Sequence, residues 1–325
     1  IDTPVITDAT ITTVNGLACA GARVEVYLAA AGAGDTLAGV DYGEGDACLG
    51  VVHADGVTGA GSRGSRTLTA GDEVSAIAID GSNNTSEFSA NAIAGRVISG
   101  TVFEDVDGNV LDGGEAIGDV NNPTVNGVNI RLYNDDGGTA NQPDATDTLH
   151  SGPITTAGAG AYSFAGLADG TYWVVVDSRS VSPSAGIHPS YLATTPWAEQ
   201  TYGPDNGWCA DGTGGNNERS GAGPCYGGVD GATDDDISAL TSSEHVARIV
   251  ITGGSVANVD FGFSYNVVTN VQATGNASLT ASTYQGSLDQ FVRNANAIDG
   301  DNAMRFVPAV PTNAAGGGNW WRINY

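Results

Sequence analysis

The sequence predicts an all-β protein, built as tandem β-sandwiches and closed by a short C-terminal segment of one helix and two strands. Three observations carry this. Apolar residues alternate with a period of two in most of the patterned stretches, as half-buried strands require. Glycine is abundant, at 48 of 325 residues, and together with Asp and Asn it supplies tight turns between short strands. Long Leu/Glu/Lys-rich stretches are missing, and all eleven cationic side chains are arginines.

The first segment spans residues 1–95. In Ala22–Leu28 the alternation puts Val24, Val26 and Leu28 on one face, and Val74–Ile79 reads as a second strand. The Gly/Asp/Ala-rich stretch between them reads as loop. Such a pattern predicts an immunoglobulin-like (Ig-like) sandwich. The GARVEVY strand, Gly21–Tyr27, and the later DGSNNTSEFS stretch, Asp80–Ser89, resemble a repeat of large bacterial surface proteins.

The second segment spans residues 96–265. It opens with Ile98–Asn109, ISGTVFEDVDGN, and continues through Asp112 and Glu115. The strand Val125–Tyr133 follows, then Ala161–Val176, AYSFAGLADGTYWVVV. Val259, Phe261, Phe263 and Tyr265 alternate in a closing strand. This order of motifs resembles the B-type repeat of serine–aspartate-repeat adhesins, which belongs with the prealbumin-like and collagen-adhesin B-type sandwiches. The resemblance covers Ile98–Val176 and resumes at Val250–Tyr265. It implies a prealbumin-like sandwich, bound calcium, and a rigid stalk between a binding head and a bacterial cell. Between the two parts lies an insertion at about 180–248, rich in Gly and Asp and holding Cys209 and Cys225.

The third segment, residues 266–325, changes character. Leu288, Phe291, Val292 and Ala295 fall at helical spacing. Strands are expected at Ala303–Val307 and Trp320–Tyr325. The GSLDQFVRNANA and NAMRFVPAV stretches resemble the entry to a secreted bacterial parallel β-helix, of which only a beginning would be present. Ile1–Ile11 reads like the strand that should follow Tyr325. The segment is therefore expected to dock onto a neighbouring module or subunit. Copies would join head to tail through terminal strands, by addition at a sheet edge.

The formal charge is −26. A nucleic-acid partner is excluded because no cation cluster exists to displace counterions from phosphates. Membrane insertion is excluded too, since no run of about 18 apolar residues exists. Crowded carboxylates repel unless neutralised, and hard divalent cations, above all calcium, are the expected counter-charge. Asp105, Asp107, Asn109, Asp112 and Glu115 lie at near-alternate positions of one turn and form the first candidate calcium site. The resemblance departs here, since the loop is one residue short of the adhesin pattern and no glycine follows Asn109. Asp135, Asp136, Asp144 and Asp147 form a second candidate site. The run Asp234–Asp236 reads either as acids that hold the insertion or as a solvated acidic loop.

Four cysteines allow three pairings. Cys19–Cys48 and Cys209–Cys225 are expected, because each pair falls within one segment, and paired cysteines place the chain in an oxidising, extracellular compartment. Catalysis finds little footing. His53, His150, His188 and His245 are scattered and lie beside no nucleophile motif. The expected function is that of a structural subunit of a secreted surface protein or filament, not an enzyme. The alternative is a ligand-binding module for glycans or a cell surface, with Trp197, Trp208, Trp320 and Trp321 as stacking or anchoring residues.

Overall fold

The computed structural model describes residues 1–10, 12–37, 40–55, 60–63, 68–108, 122–192, 195–229, 235–272, 284–300, 302–313 and 319–323. The chain is all-β apart from one α-helix and two short 3-10 turns among the described residues. It divides into two compact units. The first holds residues 1–97 with two short pieces, 164–169 and 253–255, and the second holds the remainder. The segment 266–325 thus belongs to the second unit rather than standing apart.

Among the described residues the first unit holds seven strands that lie wholly within it: β1 (Val5–Ala9), β2 (Val14–Leu17), β3 (Arg23–Leu37), β4 (Val40–His53), β5 (Ala60–Arg63), β6 (Glu73–Ile79) and β7 (Ala92–Ile93). They form a three-stranded sheet, β1-β2-β5, and a four-stranded sheet, β4-β3-β6-β7. Ala9 and Val14 of the first sheet share one core with Val24, Val26, Val74 and Ala76 of the second. The predicted alternation of Val24 and Val26 is what places them there. Where the sequence predicts loop after residue 28, residues 29–37 and 40–53 instead belong to the paired strands β3 and β4, whose partners run from Arg23↔His53 to Leu37↔Val40. Their Gly- and Ala-rich composition hid the pairing.

The Cys19–Cys48 disulfide expected from the sequence is not formed, and both are free thiols. Register explains this. Cys48 lies opposite Tyr27 on β3, whereas Cys19 sits in the turn that precedes β3, its carbonyl bonded to the Ala22 amide. About five residues of extended strand separate the two levels, on the order of 15 Å at the rise of a β-strand. A disulfide needs Cα atoms within about 7 Å.

The second unit is a sandwich of two larger sheets. Its strands begin with β8 (Arg96–Glu104), β9 (Asn129–Asn134), β10 (Leu149–Thr155), β11 (Ala161–Leu167) and β12 (Gly170–Val176), with residues 96–97 of β8 and 164–167 of β11 counted in the first unit. They continue with β13 (Glu199–Gly203), β14 (Gly207–Ala210), β15 (Asn216–Glu218), β16 (Gly223–Pro224), β17 (Val246–Ile251) and β18 (Phe261–Ser264). One sheet has the order β10-β9-β12-β17-β14-β15, the other β11-β8-β18-β13-β16. Trp173, Val175 and Val246 pack with Tyr133 and Leu240 in the core. Phe103, Phe261 and Phe263 are fully buried. β8 and β18 pair in parallel, with Val102 opposite Phe261 and Glu104 opposite Phe263.

The stretch expected as an insertion at 180–248 supplies strands to both sheets. β13 pairs with β18, and β14 pairs with β17. The Cys209–Cys225 disulfide is formed, with Cα atoms 5.4 Å apart. Beyond β18, β19 (Val267–Val268) pairs in parallel with β20 (Arg305–Phe306). The predicted helix is present as α1 (Leu288–Ala297), capped by the Ser287 hydroxyl, which accepts from the Gln290 amide. No strand forms over Trp320–Ile323, where Asn313 bonds the Arg322 backbone through both ends of its side chain. Tyr325 lies outside the described residues.

Candidate functional site: a buried polar core

The helix buries an unexpected face. Gln290, Asn294 and Ala297 point inward, at i, i+4 and i+7, while Val292 is exposed. Asn294 accepts the Trp197 amide at 2.9 Å and donates to the Trp197 carbonyl at 2.9 Å and the Tyr265 carbonyl at 3.2 Å. Gln290 donates to Asn294 Oδ1 at 2.7 Å and to the Thr195 carbonyl. These hydrogen bonds hold the helix to the sandwich, while Leu288, Phe291 and Ala295 of its apolar stripe are half-buried.

Behind this seam lies a network of buried polar side chains drawn from distant parts of the chain. β13 contributes Glu199, Gln200 and Thr201, all buried. The turn after β12 contributes Ser178, and the residues entering β17 contribute Glu244 and His245. Asp235 comes from the acidic run, and Gln285 from the residues that precede α1.

Ser178 Oγ donates to Asp235 Oδ2 at 2.9 Å and accepts from Trp197 Nε1 at 3.0 Å and Gln285 Nε2 at 3.1 Å. Gln285 Nε2 also donates to the Ala198 carbonyl at 2.8 Å and faces His245 Nε2 at 3.2 Å. Gln285 Oε1 accepts the Asp235 backbone N–H at 3.1 Å. His245 Nδ1 lies 2.9 Å from Gln200 Oε1. Gln200 Nε2 donates to the Tyr202 carbonyl, so its Oε1 faces the ring and accepts from His245 Nδ1, and the neutral ring keeps an unprotonated Nε2 that shares the two Gln285 amide hydrogens with Ser178 Oγ and the Ala198 carbonyl. Burial pushes the His245 pKa down to about 3 from 6.5, keeping the ring neutral. Burial raises the Asp235 pKa against the hydrogen bonds from Glu244 and Ser178 that favour its charge.

Gly286 makes room for this packing. It sits at φ +67, and a Cβ there would fall 1.9 Å from Thr269 Oγ1 and 2.4 Å from Glu199 Oε2. No side-chain-bearing residue fits beside Gln285 in that conformation.

Among the described residues, Glu199, Glu244 and His245 are the group whose ligand atoms could meet on one metal ion, all lying within 4.8 Å of one another. The set is already engaged. Glu199 Oε1 accepts the Gln200 amide at 2.9 Å, and Oε2 accepts Thr269 Oγ1 at 3.1 Å. Both His245 nitrogens have partners. A metal would have to displace these bonds, and we read the trio as part of the core network.

The sequence-predicted calcium ligands are only partly brought together. Asp105 is fully buried, its Oδ1 accepting the Gly108 amide at 2.9 Å, and Asp107 is exposed. Asn109, Asp112 and Glu115 lie outside the described residues. In the second set each carboxylate bonds its own loop. Asp144 accepts the Thr139 and Thr146 amides, and Asp147 the Gly137 and Asp144 amides. Asp135 accepts the Asn141 amide, and Asp136 the Thr148 amide and hydroxyl. The Thr146 hydroxyl, followed by the Thr139 and Thr146 amides, favours the charged form and lowers the Asp144 pKa to about 2. The four acids shape a turn in the way Asx residues do.

The tryptophans proposed for sugar stacking are placed otherwise. Trp197 is 2% exposed, with the Arg179 guanidinium over its ring. Trp208 packs edge-on against Trp173 at 5.8 Å. The Trp197 ring is not free to form a platform, and Trp208 is half-buried. Trp320 is exposed, and Trp321 donates its Nε1 to the Val310 carbonyl.

No known protein-family profile matches the chain. Solved structures similar to it include a variant of the major pilin subunit of Bacillus cereus, at 9% identity and a TM-score of 0.22. That match covers 80% of this chain and 66% of the pilin, just under two thirds. The minor pilin of Streptococcus agalactiae matches at 10% identity and a TM-score of 0.22, over 81% of this chain and 94% of that one. At these TM-scores the likeness fixes neither a strand arrangement nor a function.

Proposed function

We propose that this chain is a tension-bearing structural module of an extracellular bacterial surface protein or filament. One observation carries the reading. β8 and β18, the first and last strands of the larger sandwich, lie side by side in parallel, from the Ile98–Val256 bridge to the Asp105–Phe263 bond. A pull on the start of β8 against the end of β18 loads these hydrogen bonds in shear, so that they must break together rather than one at a time. The reading agrees with what the resemblance of Ile98–Val176 to adhesin repeats implies.

Single-molecule pulling on the full chain from its two ends tests it. The expected record is one abrupt rupture of the second unit, at a force above that of the first. Gradual unravelling of the second unit at no higher force would refute it. Head-to-tail joining belongs to the same proposal. Among the described residues β1 is an edge strand of its sheet, paired with β2 and with its Ala9 carbonyl accepting the Gly95 amide, and its remaining edge can accept a further strand. Regular fibres in electron micrographs of the purified protein are expected, with a repeat near one subunit length.

Calcium in the Asp105–Glu115 turn is also part of the proposal. The support for it is the near-alternate spacing of acids in the sequence from Asp105 to Glu115, and bound calcium would stabilise the folded state. Excess chelator is expected to lower the melting temperature. An unchanged melting curve would remove calcium from the proposal and leave the shear geometry standing.

A further inference from the structure

We propose that Ser178 and Gln285 form an internal ester cross-link, made by the protein itself and tying the segment before α1 to the end of β12. This inference is independent of the tension-bearing reading. It rests on four groups that acyl transfer requires, already assembled around one amide. The nucleophile is Ser178 Oγ, 3.1 Å from Gln285 Nε2 and thus one bond from the carbon to be attacked. The base is Asp235, whose Oδ2 accepts the Ser178 hydroxyl at 2.9 Å. The oxyanion donor is the Asp235 backbone N–H, 3.1 Å from Gln285 Oε1. The leaving nitrogen faces the Ser178 hydroxyl, the Ala198 carbonyl and the unprotonated Nε2 of His245. An amide nitrogen brings two hydrogens to those three acceptors, while departing ammonia brings three.

The chemistry balances without an outside reagent. A tilt of the Gln285 carboxamide that keeps Oε1 on the Asp235 N–H presents its face, and so its carbonyl carbon, to Ser178 Oγ. The Asp235 carboxylate takes the hydroxyl proton as Oγ bonds to Gln285 Cδ. Charge collects on Oε1 beneath the Asp235 N–H. The tetrahedral centre then collapses, the Cδ–Nε2 bond breaks, and Nε2 leaves as ammonia with the proton that Asp235 held. One hydroxyl and one carboxamide become one ester and one ammonia, whose escape into solvent draws the step forward. Burial strengthens the base by raising the Asp235 pKa, and it excludes the water that would hydrolyse the product.

Burial also decides what the constellation acts on. Ser178, Gln285 and His245 are fully buried and Asp235 is 6% exposed. An external substrate has no way to the hydroxyl, whereas Gln285 is already there. The arrangement is therefore a single-turnover device directed at its own chain. The bond would join residues 107 apart in sequence and fix the C-terminal segment to the sandwich.

Intact mass spectrometry of the folded full chain tests the proposal and needs no variant. The expected mass is that of the sequence with one disulfide, less one ammonia. Proteolysis should then release the Ser178 and Gln285 peptides as one species, which mild alkaline hydroxylamine separates. Ser178→Ala is expected to restore the full mass, and Asp235→Asn to slow or abolish the ammonia loss. A wild-type chain with no ammonia lost overturns the proposal. So does an ammonia loss that persists in Ser178→Ala or that maps to other peptides.

Discussion

Acidification is expected to weaken the second unit through His245, by an amount the structure allows us to estimate. Burial holds the ring neutral, with a folded pKa of about 3 against 6.5 when exposed. A depressed folded pKa means that the unfolded chain binds the extra proton. The stability is therefore fully present above pH 6.5, falls as pH drops below that value, and levels off near pH 3. Each pH unit inside that window costs about 1.4 kcal/mol, so pH 4.5 costs about 3 kcal/mol.

His188 acts in the opposite sense. Its Nε2 lies 2.8 Å from Glu104 Oε1, and this bond raises its pKa. Its contribution is complete below pH 6.5 and is lost as pH climbs through the raised value. It stays constant across the acidic window. Urea denaturation at pH 6.5, 5.5 and 4.5, on the wild type and on His245→Asn, isolates the effect from other carboxylates. The wild type should lose about 2 kcal/mol more than the variant over that range. Equal losses would show that His245 is not the buried neutral group described.

Removing the disulfide with Cys209→Ser and Cys225→Ser together should cost about 3 kcal/mol in chemical denaturation, from the chain entropy of a loop with sequence separation 16. A thiol titration of the native protein should find two reactive groups, Cys19 and Cys48, and finding none would mean that they are bonded. Asn294→Ala strands the Trp197 amide and carbonyl in the interior and should cost about 2–4 kcal/mol. Val292→Asn, on the exposed side of the same helix, should cost less than about 0.5 kcal/mol. The reverse order would refute the polar face.

The sequence was most readable where burial follows hydrophobicity. Val24 and Val26 on β3, the Trp173–Val176 run on β12, and Phe261 and Phe263 on β18 all fall where their alternation or apolar run places them. It misled where polar side chains go inside. β13 reads Glu-Gln-Thr-Tyr-Gly, its first three residues buried, so an apolar count passes over it and returns a loop. Helix α1 was legible from Leu288, Phe291, Val292 and Ala295, yet those residues do not mark its buried face. The Ser178–Asp235–Gln285 constellation had no local signature, since its members come from three separate stretches. Asp235 was visible only as the middle of an acidic run, and nothing in Asp234–Asp236 says which of the three turns inward. Cys19 and Cys48 show the converse limit. Placement in one segment suggested a bond that strand register forbids.

The polar underside of α1 has a consequence for fidelity. A greasy helix tolerates sliding, because one methyl group serves nearly as well as another against an oily groove. Gln290 and Asn294 do not, since their partners at Thr195, Trp197 and Tyr265 stand at fixed distances and angles. A slip of one residue would orphan several interior groups at roughly 1–3 kcal/mol apiece. The tail therefore seats in one register or stays off, and a mis-seated copy would advertise itself as unfolded rather than persist as a near miss.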